Sequence, residues 1–183
     1  MFIRFFKSNS IMLLTQLILI SLLLVSCSHT SKDFSSTLIS KELVIKADKL
    51  DRGHPLEFFK TAGEYFRNGK INDSAFMFYL GQLRYRYYIS VNPPDKMEGD
   101  IMTFSSMQSV LGSELNYKLG KDIDSYLLIL DAVLEWGNRF DSKFCSRKIN
   151  PEKYQDNIDD LRQLKEYVIN NRDVIEEEHK ETE

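Results

Sequence analysis

Phe59, Ala62, Gly63 and Phe66 stand at i, i+3, i+4 and i+7 within Pro55 to Asn68, a spacing that gathers them on one face of a helix. Asn68-Gly69 reads as the stop of that helix, and Asn72 or Asp73 supplies a side-chain acceptor to start the next. From Ser74 to about Ser90, Ala75, Phe76, Phe78, Tyr79, Leu80, Leu83 and Tyr87 fill more than one stripe. A helix that is apolar around most of its girth lies at the centre of its bundle, so the pattern predicts an antiparallel helical hairpin whose second arm is central.

The flanking segments extend the same reading. Leu38 to Leu50 has a spacing compatible with a short helix or with an extended segment, and Asp51-Arg52-Gly53-His54-Pro55 punctuates it. Pro93-Pro94 makes Ser90 to Gly99 a loop. Asp100 then reads as the N-cap of a helix to Leu119, with Ile101, Phe104, Met107 or Leu111, and Leu115 on one face. Asp122 or Lys121 begins another helix that runs to about Trp136, before Gly137-Asn138 stops it. Phe140 to Asn150 is a connector. Asn150-Pro151 opens a last helix to about Glu176, buried along Tyr154, Ile158, Leu161, Leu164 and Val168. No segment alternates with period two, so the expected class is all-α, a single bundle of about five helices with no sheet. The domain is expected over 38–178, with 179–183 as a solvated acidic tail.

Within the hairpin, Tyr65 and Gly69 followed by Ala75 and Tyr79 resemble the Tyr, Gly, Ala, Tyr signature of tetratricopeptide and Sel1-like repeats. In those families the glycine permits the turn, and the alanine is small because the two helices touch there. The resemblance covers about one repeat over residues 55–90, and nothing later repeats it at a fixed period. Repeat arrays need ~3 units to bury a continuous core, so a bundle carrying one repeat-like hairpin is the expected architecture.

The first 27 residues follow a different pattern. Arg4 and Lys7 precede an apolar run from Ile11 to Val25, as a charged n-region precedes the h-region of a signal peptide. The run is shorter than the ~20 residues a membrane span needs. It closes on Leu24-Val25-Ser26-Cys27, which resembles the lipobox of bacterial lipoproteins. The resemblance implies cleavage after residue 26 and a covalent lipid on Cys27, with residues 27–37 as a polar, flexible tether. Two or three acyl chains make a stable anchor where one is marginal. Because Ser28 and not Asp follows the cysteine, the resemblance favours the periplasmic face of the outer membrane, with the inner membrane or the cell surface as alternatives.

Charge and cysteine usage narrow the partners. Loss of residues 1–26 takes Arg4 and Lys7 from a chain of net charge −3 and leaves −5, an ordinary balance that argues against nucleic acid as a partner, since phosphate binding needs a concentrated basic surface. With Cys27 lipidated, Cys145 has no disulfide partner and reads as a small apolar core residue. His29, His54 and His179 stand in the tether, a turn and the tail. None lies four residues from another histidine or a cysteine, and no HExxH or CxxC run is present, so no metal site, no cofactor beyond the lipid and no catalytic set is expected.

The densest feature is Tyr79 to Tyr88, YLGQLRYRYY, where arginines interleave with tyrosines. Such pairs form binding hot spots, and Arg84, Tyr85, Arg86 and Tyr88 are the candidate partner-binding residues. The plainer reading makes Leu80, Leu83 and Tyr87 core, with the arginines paired to nearby acids. The expected function is that of a non-catalytic protein-interaction module in the periplasm. An immunity lipoprotein that neutralises a delivered toxin is one variety, and an accessory lipoprotein of an envelope assembly complex is another. The competitor of a different class is a cell-wall glycan-cleaving enzyme using Glu57 or Glu64 with a tyrosine.

Overall fold

Ser40, extended at ψ 155°, accepts the Leu43 amide on its Oγ at 3.1 Å and so opens α1, Lys41–Leu50. A computed structural model describes residues 38–180; the signal segment, Cys27 and the tether lie outside the described residues. Every regular element among the described residues is helical, which makes the protein all-α, as the periodicity predicts.

The order continues with α2, Leu56–Arg67, and α3, Ile71–Val91. Gly69 joins them at φ +72°, the left-handed conformation that glycine adopts without steric cost. Its amide bonds Phe66 O at 3.0 Å and the Lys70 amide bonds Tyr65 O at 2.9 Å, the double closure that satisfies the last carbonyls of a helix. This closure starts α3 at Ile71, ahead of the predicted caps at Asn72 or Asp73, and Lys70 contributes no side-chain cap. The two helices run antiparallel: Ser74 Oγ donates to Ala62 O at 2.7 Å, and further along Gly81 backs onto Phe58.

After a 3₁₀ turn at Pro94–Lys96, residues 98–119 form one continuous helix in three registers. These are α4, Glu98–Met107, a π-helical turn, Gln108–Gly112, and α5, Ser113–Leu119. The helix starts before Asp100, which lies in its first turn and does not cap it. Ile101, expected on the buried face, is exposed, whereas Leu115 is fully buried.

Asp122 caps α6, Ile123–Arg139, by accepting the Ser125 amide at 3.1 Å. Gly137 does not stop this helix. A Cβ there would stand 2.7 Å from Leu83 Cδ2 and 2.9 Å from Ile158 Cδ1, so the glycine is where α6 closes on its neighbours. Asn150 caps α7, Pro151–Asn170, through the Lys153 amide at 3.0 Å. A break at Asn171 separates α7 from α8, Arg172–Lys180, where one helix to about Glu176 is expected; residues 181–183 of the expected acidic tail lie outside the described residues.

The core is built around α3, which packs on α2, α6 and α7. Phe76, Phe78, Leu80 and Leu83 from α3 join Phe58, Trp136, Ile129 and Ile158 in one cluster. Cys145 is buried and unpaired, and burial pushes its thiol pKa up, consistent with a packing role. Among the described residues no helix is long and apolar enough to cross a membrane.

Candidate functional site

Arg84 projects from the buried side of α3 and is only 3 % exposed. Its Nε donates to Asp51 Oδ1 at 2.7 Å, and Nη2 donates to Asp51 Oδ2 at 3.0 Å and to Phe140 O at 2.9 Å. Nη1 donates to Tyr154 Oη at 2.7 Å, which in turn donates to Gly137 O at 2.8 Å. Asp51 also accepts Trp136 Nε1 at 2.9 Å. Its backbone carbonyl takes the Lys143 amide at 2.9 Å and the Ser142 hydroxyl at 3.2 Å. Burial works against the guanidinium's charge, and Asp51 with Tyr154 more than offsets it, so the Arg84 pKa ends above its ordinary value. One ion pair thus ties α1's C-terminus, α3, α6, α7 and the connector after α6.

This corrects the expected partner patch. Arg84 cannot reach a partner from the core, and Tyr85, 1 % exposed, is buried as well. Tyr85 Oη donates to Asp100 Oδ1 at 2.5 Å, and burial followed by this bond raises the phenol's pKa well above its usual range. His54 Nε2 stands 3.1 Å from the same oxygen, while its Nδ1 accepts the Leu56 amide at 3.2 Å. That acceptor role leaves Nε2 as the ring nitrogen facing the Asp100 carboxylate. Tyr88 is half-buried, and its ring meets those of His54 and Phe144 at 5.1 and 5.4 Å between centroids. Of the four candidates only Arg86 is on the surface, 3.3 Å from Asp160, with its guanidinium 5.9 Å from the centre of the Phe104 ring. The plainer reading of this run describes both arginines.

Arg86 marks the rim of a cleft of about 210 Å³ between α3, the π-turn with α5, and α7. Phe78 and Leu83 from α3 and Leu161 and Leu164 from α7 form its apolar wall. Amide side chains supply the rest: Gln82 from α3, Gln108 and Asn116 from the helix opposite, and Asn157 from α7. Gln82 Nε2 donates to Gln108 Oε1 at 2.6 Å and pins the Gln108 amide. Gln108 Nε2 is fully buried and has no hydrogen-bond partner among the described residues. An orphaned buried donor costs about 1–3 kcal/mol, and native structures keep few of them. Tyr79 Oη bonds Asn116 Oδ1 and Tyr126 Oη at 2.6 Å each, so the Asn116 side of the cleft is held from behind. Asp160, paired with Arg86, is the one carboxylate among the described lining residues.

The same helix has an unusual outer side. From Ile101 to Ser113 thirteen consecutive residues carry no charge. Met102 and Val110 are 72 % and 69 % exposed, with Ser105, Ser106, Ser109 and Ser113 exposed between and beside them. A surface helix ordinarily turns charge to water on its outer face, as α7 does with Glu152, Asp156, Arg162 and Glu166.

The chain matches no family model, no curated protein and no solved structure. No group of three or more His, Cys, Asp or Glu among the described residues is arranged to hold a metal ion.

Sequence reasoning missed Gln108 because a glutamine between Met107 and Ser109 carries no spacing signal. The uncharged run 101–113 was legible without coordinates, as an interval with no Asp, Glu, Lys or Arg in a chain that is 28 % charged.

Proposed function

We propose that this protein is a non-catalytic helical binding module, held in the bacterial envelope by lipid on Cys27 and facing the periplasm. It engages a protein partner through the outer face of residues 101–113. The observation that carries this reading is the uncharged, partly apolar face around Met102 and Val110. Exposed apolar surface of this kind marks interaction sites, and methionine adapts to a partner's contour. The partner has matching chemistry: apolar groups to cover Met102 and Val110, and hydroxyls or amides to meet the serines, with no charge to bury. A toxin domain neutralised by this chain and a component of an envelope complex both fit that description, and the captured protein tells them apart.

Capture from membrane extracts, followed by reconstitution with the purified partner, tests the face. Val110→Asp and Met102→Asp each weaken binding at least tenfold, because a carboxylate must be desolvated at the interface. Both positions are solvent-exposed, so the helical circular dichroism spectrum stays unchanged. Equal capture by wild type and both variants refutes the reading; vesicle binding lost on the same substitutions assigns the face to the bilayer instead. The anchor is tested separately. Cys27→Ser moves the protein from the detergent phase to the aqueous phase, and unchanged partitioning overturns lipidation.

A further inference from the structure

α1 carries an exposed face that the bundle does not use. Lys41, Ile45, Asp48, Lys49 and Arg52 stand at i, i+4, i+7, i+8 and i+11, which gathers them on one side of the helix, away from the buried Leu43, Val44 and Ala47. Ile45, in the middle of that face, is 68 % exposed. Asp48 is shared by two cations: Arg52 Nη2 lies at 3.3 Å, and Lys143 Nζ, from the connector after α6, at 3.7 Å. The Lys143 amide also bonds Asp51 O at 2.9 Å, which fixes the connector beside the end of α1. Lys41, Lys46 and Lys49 make no ion pair among the described residues. With Glu42 and Lys46 at its edges, the face sets five cations against two acids, net +3 on a processed chain of net −5. Residues 151–183 carry the opposite sign, five cations against eleven acids.

Reach and charge select the occupant. α1 is the first described helix after Cys27, and residues 27–37 span at most about 40 Å fully extended, comparable to the width of a domain this size. Lipid on Cys27 therefore keeps a bilayer within reach of α1, and a contact too weak to hold a free protein becomes effective once it is intramolecular. Anionic headgroups attract lysines and arginines clustered near a membrane, and such a patch adds a second signal to acyl chains. An isoleucine among lysines suits the headgroup boundary, where the apolar side chain enters and the ammonium groups stay with the phosphates. Residues 151–183 are repelled by the same surface, so the charge distribution favours one orientation.

We propose that α1 lies on the bilayer, with Ile45 at the headgroup boundary and Lys41, Lys46, Lys49, Arg52 and Lys143 against anionic lipid headgroups. This rests on the lipid anchor proposed above. It orients the anchored domain, and it leaves the 101–113 face, which shares no residue with α1, to the protein partner.

The test uses the processed, lipidated protein with Ile45→Cys labelled by nitrobenzoxadiazole, whose emission rises on leaving water. Cys145 is buried and Cys27 is blocked by lipid, so the label reports position 45. The protein is reconstituted into vesicles of phosphatidylcholine alone, or of phosphatidylcholine and phosphatidylglycerol in equal parts. Emission is expected to be at least twofold higher in the anionic vesicles. The gain is lost at 1 M salt, where the screening length falls to about 3 Å, and in the double variant Lys41→Glu with Lys49→Glu. Lys41→Arg with Lys49→Arg keeps it. Both lysines are exposed, so the circular dichroism spectrum is unchanged in either pair. Equal emission in the two kinds of vesicle overturns the proposal, as does a gain that survives the charge reversal in a folded protein. Intact mass separates this from the anchor: absence of acyl chains refutes the anchor and this orientation together, whereas acyl chains with no anionic gain refute the orientation alone. Partner capture in detergent, where no bilayer is present, is unchanged by the charge reversal; capture lost there assigns α1 to the protein partner and overturns the proposal.

Discussion

Asp51→Ala lowers the stability of the folded domain by about 3–5 kcal/mol, read as a shift of the urea unfolding midpoint at constant slope. The substitution leaves the Arg84 charge in the core without its counter-ion, and removes the carboxylate oxygen to which Trp136 Nε1 donates. Arg84 is 3 % exposed, so water cannot replace what the carboxylate supplied. Tyr154 and the Phe140 carbonyl still accept from the guanidinium, but neither carries a full negative charge. Domains of this kind are stable by about 5–15 kcal/mol in total, so the loss takes a large part of what there is. Removing both charges is a different experiment. Asp51→Leu combined with Arg84→Met recovers much of the loss, because the penalty lies in the unpaired charge and not in the absence of the pair. A change below about 1 kcal/mol on Asp51→Ala sinks the account of this ion pair as the joint of five elements.

Gly81→Ala destabilises by about 1–3 kcal/mol, although alanine is the better helix former by nearly 1 kcal/mol. Steric contact outweighs propensity here. The added Cβ would stand 2.7 Å from Phe58 Cβ, an atom fixed to the α2 backbone, and 3.5 Å from two atoms of the Phe59 ring. Relief requires α2 to move away from α3, which opens the hairpin along its length. Gly137→Ala meets Leu83 Cδ2 at 2.7 Å and Ile158 Cδ1 at 2.9 Å, but these are the far ends of side chains that can turn. The measured order is therefore Gly81→Ala more costly than Gly137→Ala. The reverse order places the tightest contact of α3 on α6 instead of α2.

The central place of α3 follows from the sequence because its apolar residues fill more than one helical stripe, and such a helix has no side to offer water. Asp122 and Asn150-Pro151 cap their helices where they were expected, since capping is settled within four residues of chain. The Gly69 turn is local in the same way; the start of α3 shifted because the backbone closure at Gly69 and Lys70 made a side-chain cap unnecessary, and the helix after Pro93-Pro94 starts at Glu98, ahead of Asp100.

The functional surfaces divide along the same line. Arginines among tyrosines on one helix look identical in sequence whether they face a partner or the core. Arg84 is internal because Asp51, thirty-three positions earlier, arrives beside it through the packing of α1's end and the connector at Phe140 to Ser142. Gln82, Gln108 and Asn157 converge from three helices, and no spacing rule relates residues brought together by helix packing alone. What short-range chemistry governs was legible in the chain: the all-α class, the caps at Asp122 and Asn150, and the turn at Gly69. Burial of a charge, the glycines at helix crossings and the lining of the cleft depend on partners far away in sequence, and came only from the packed fold.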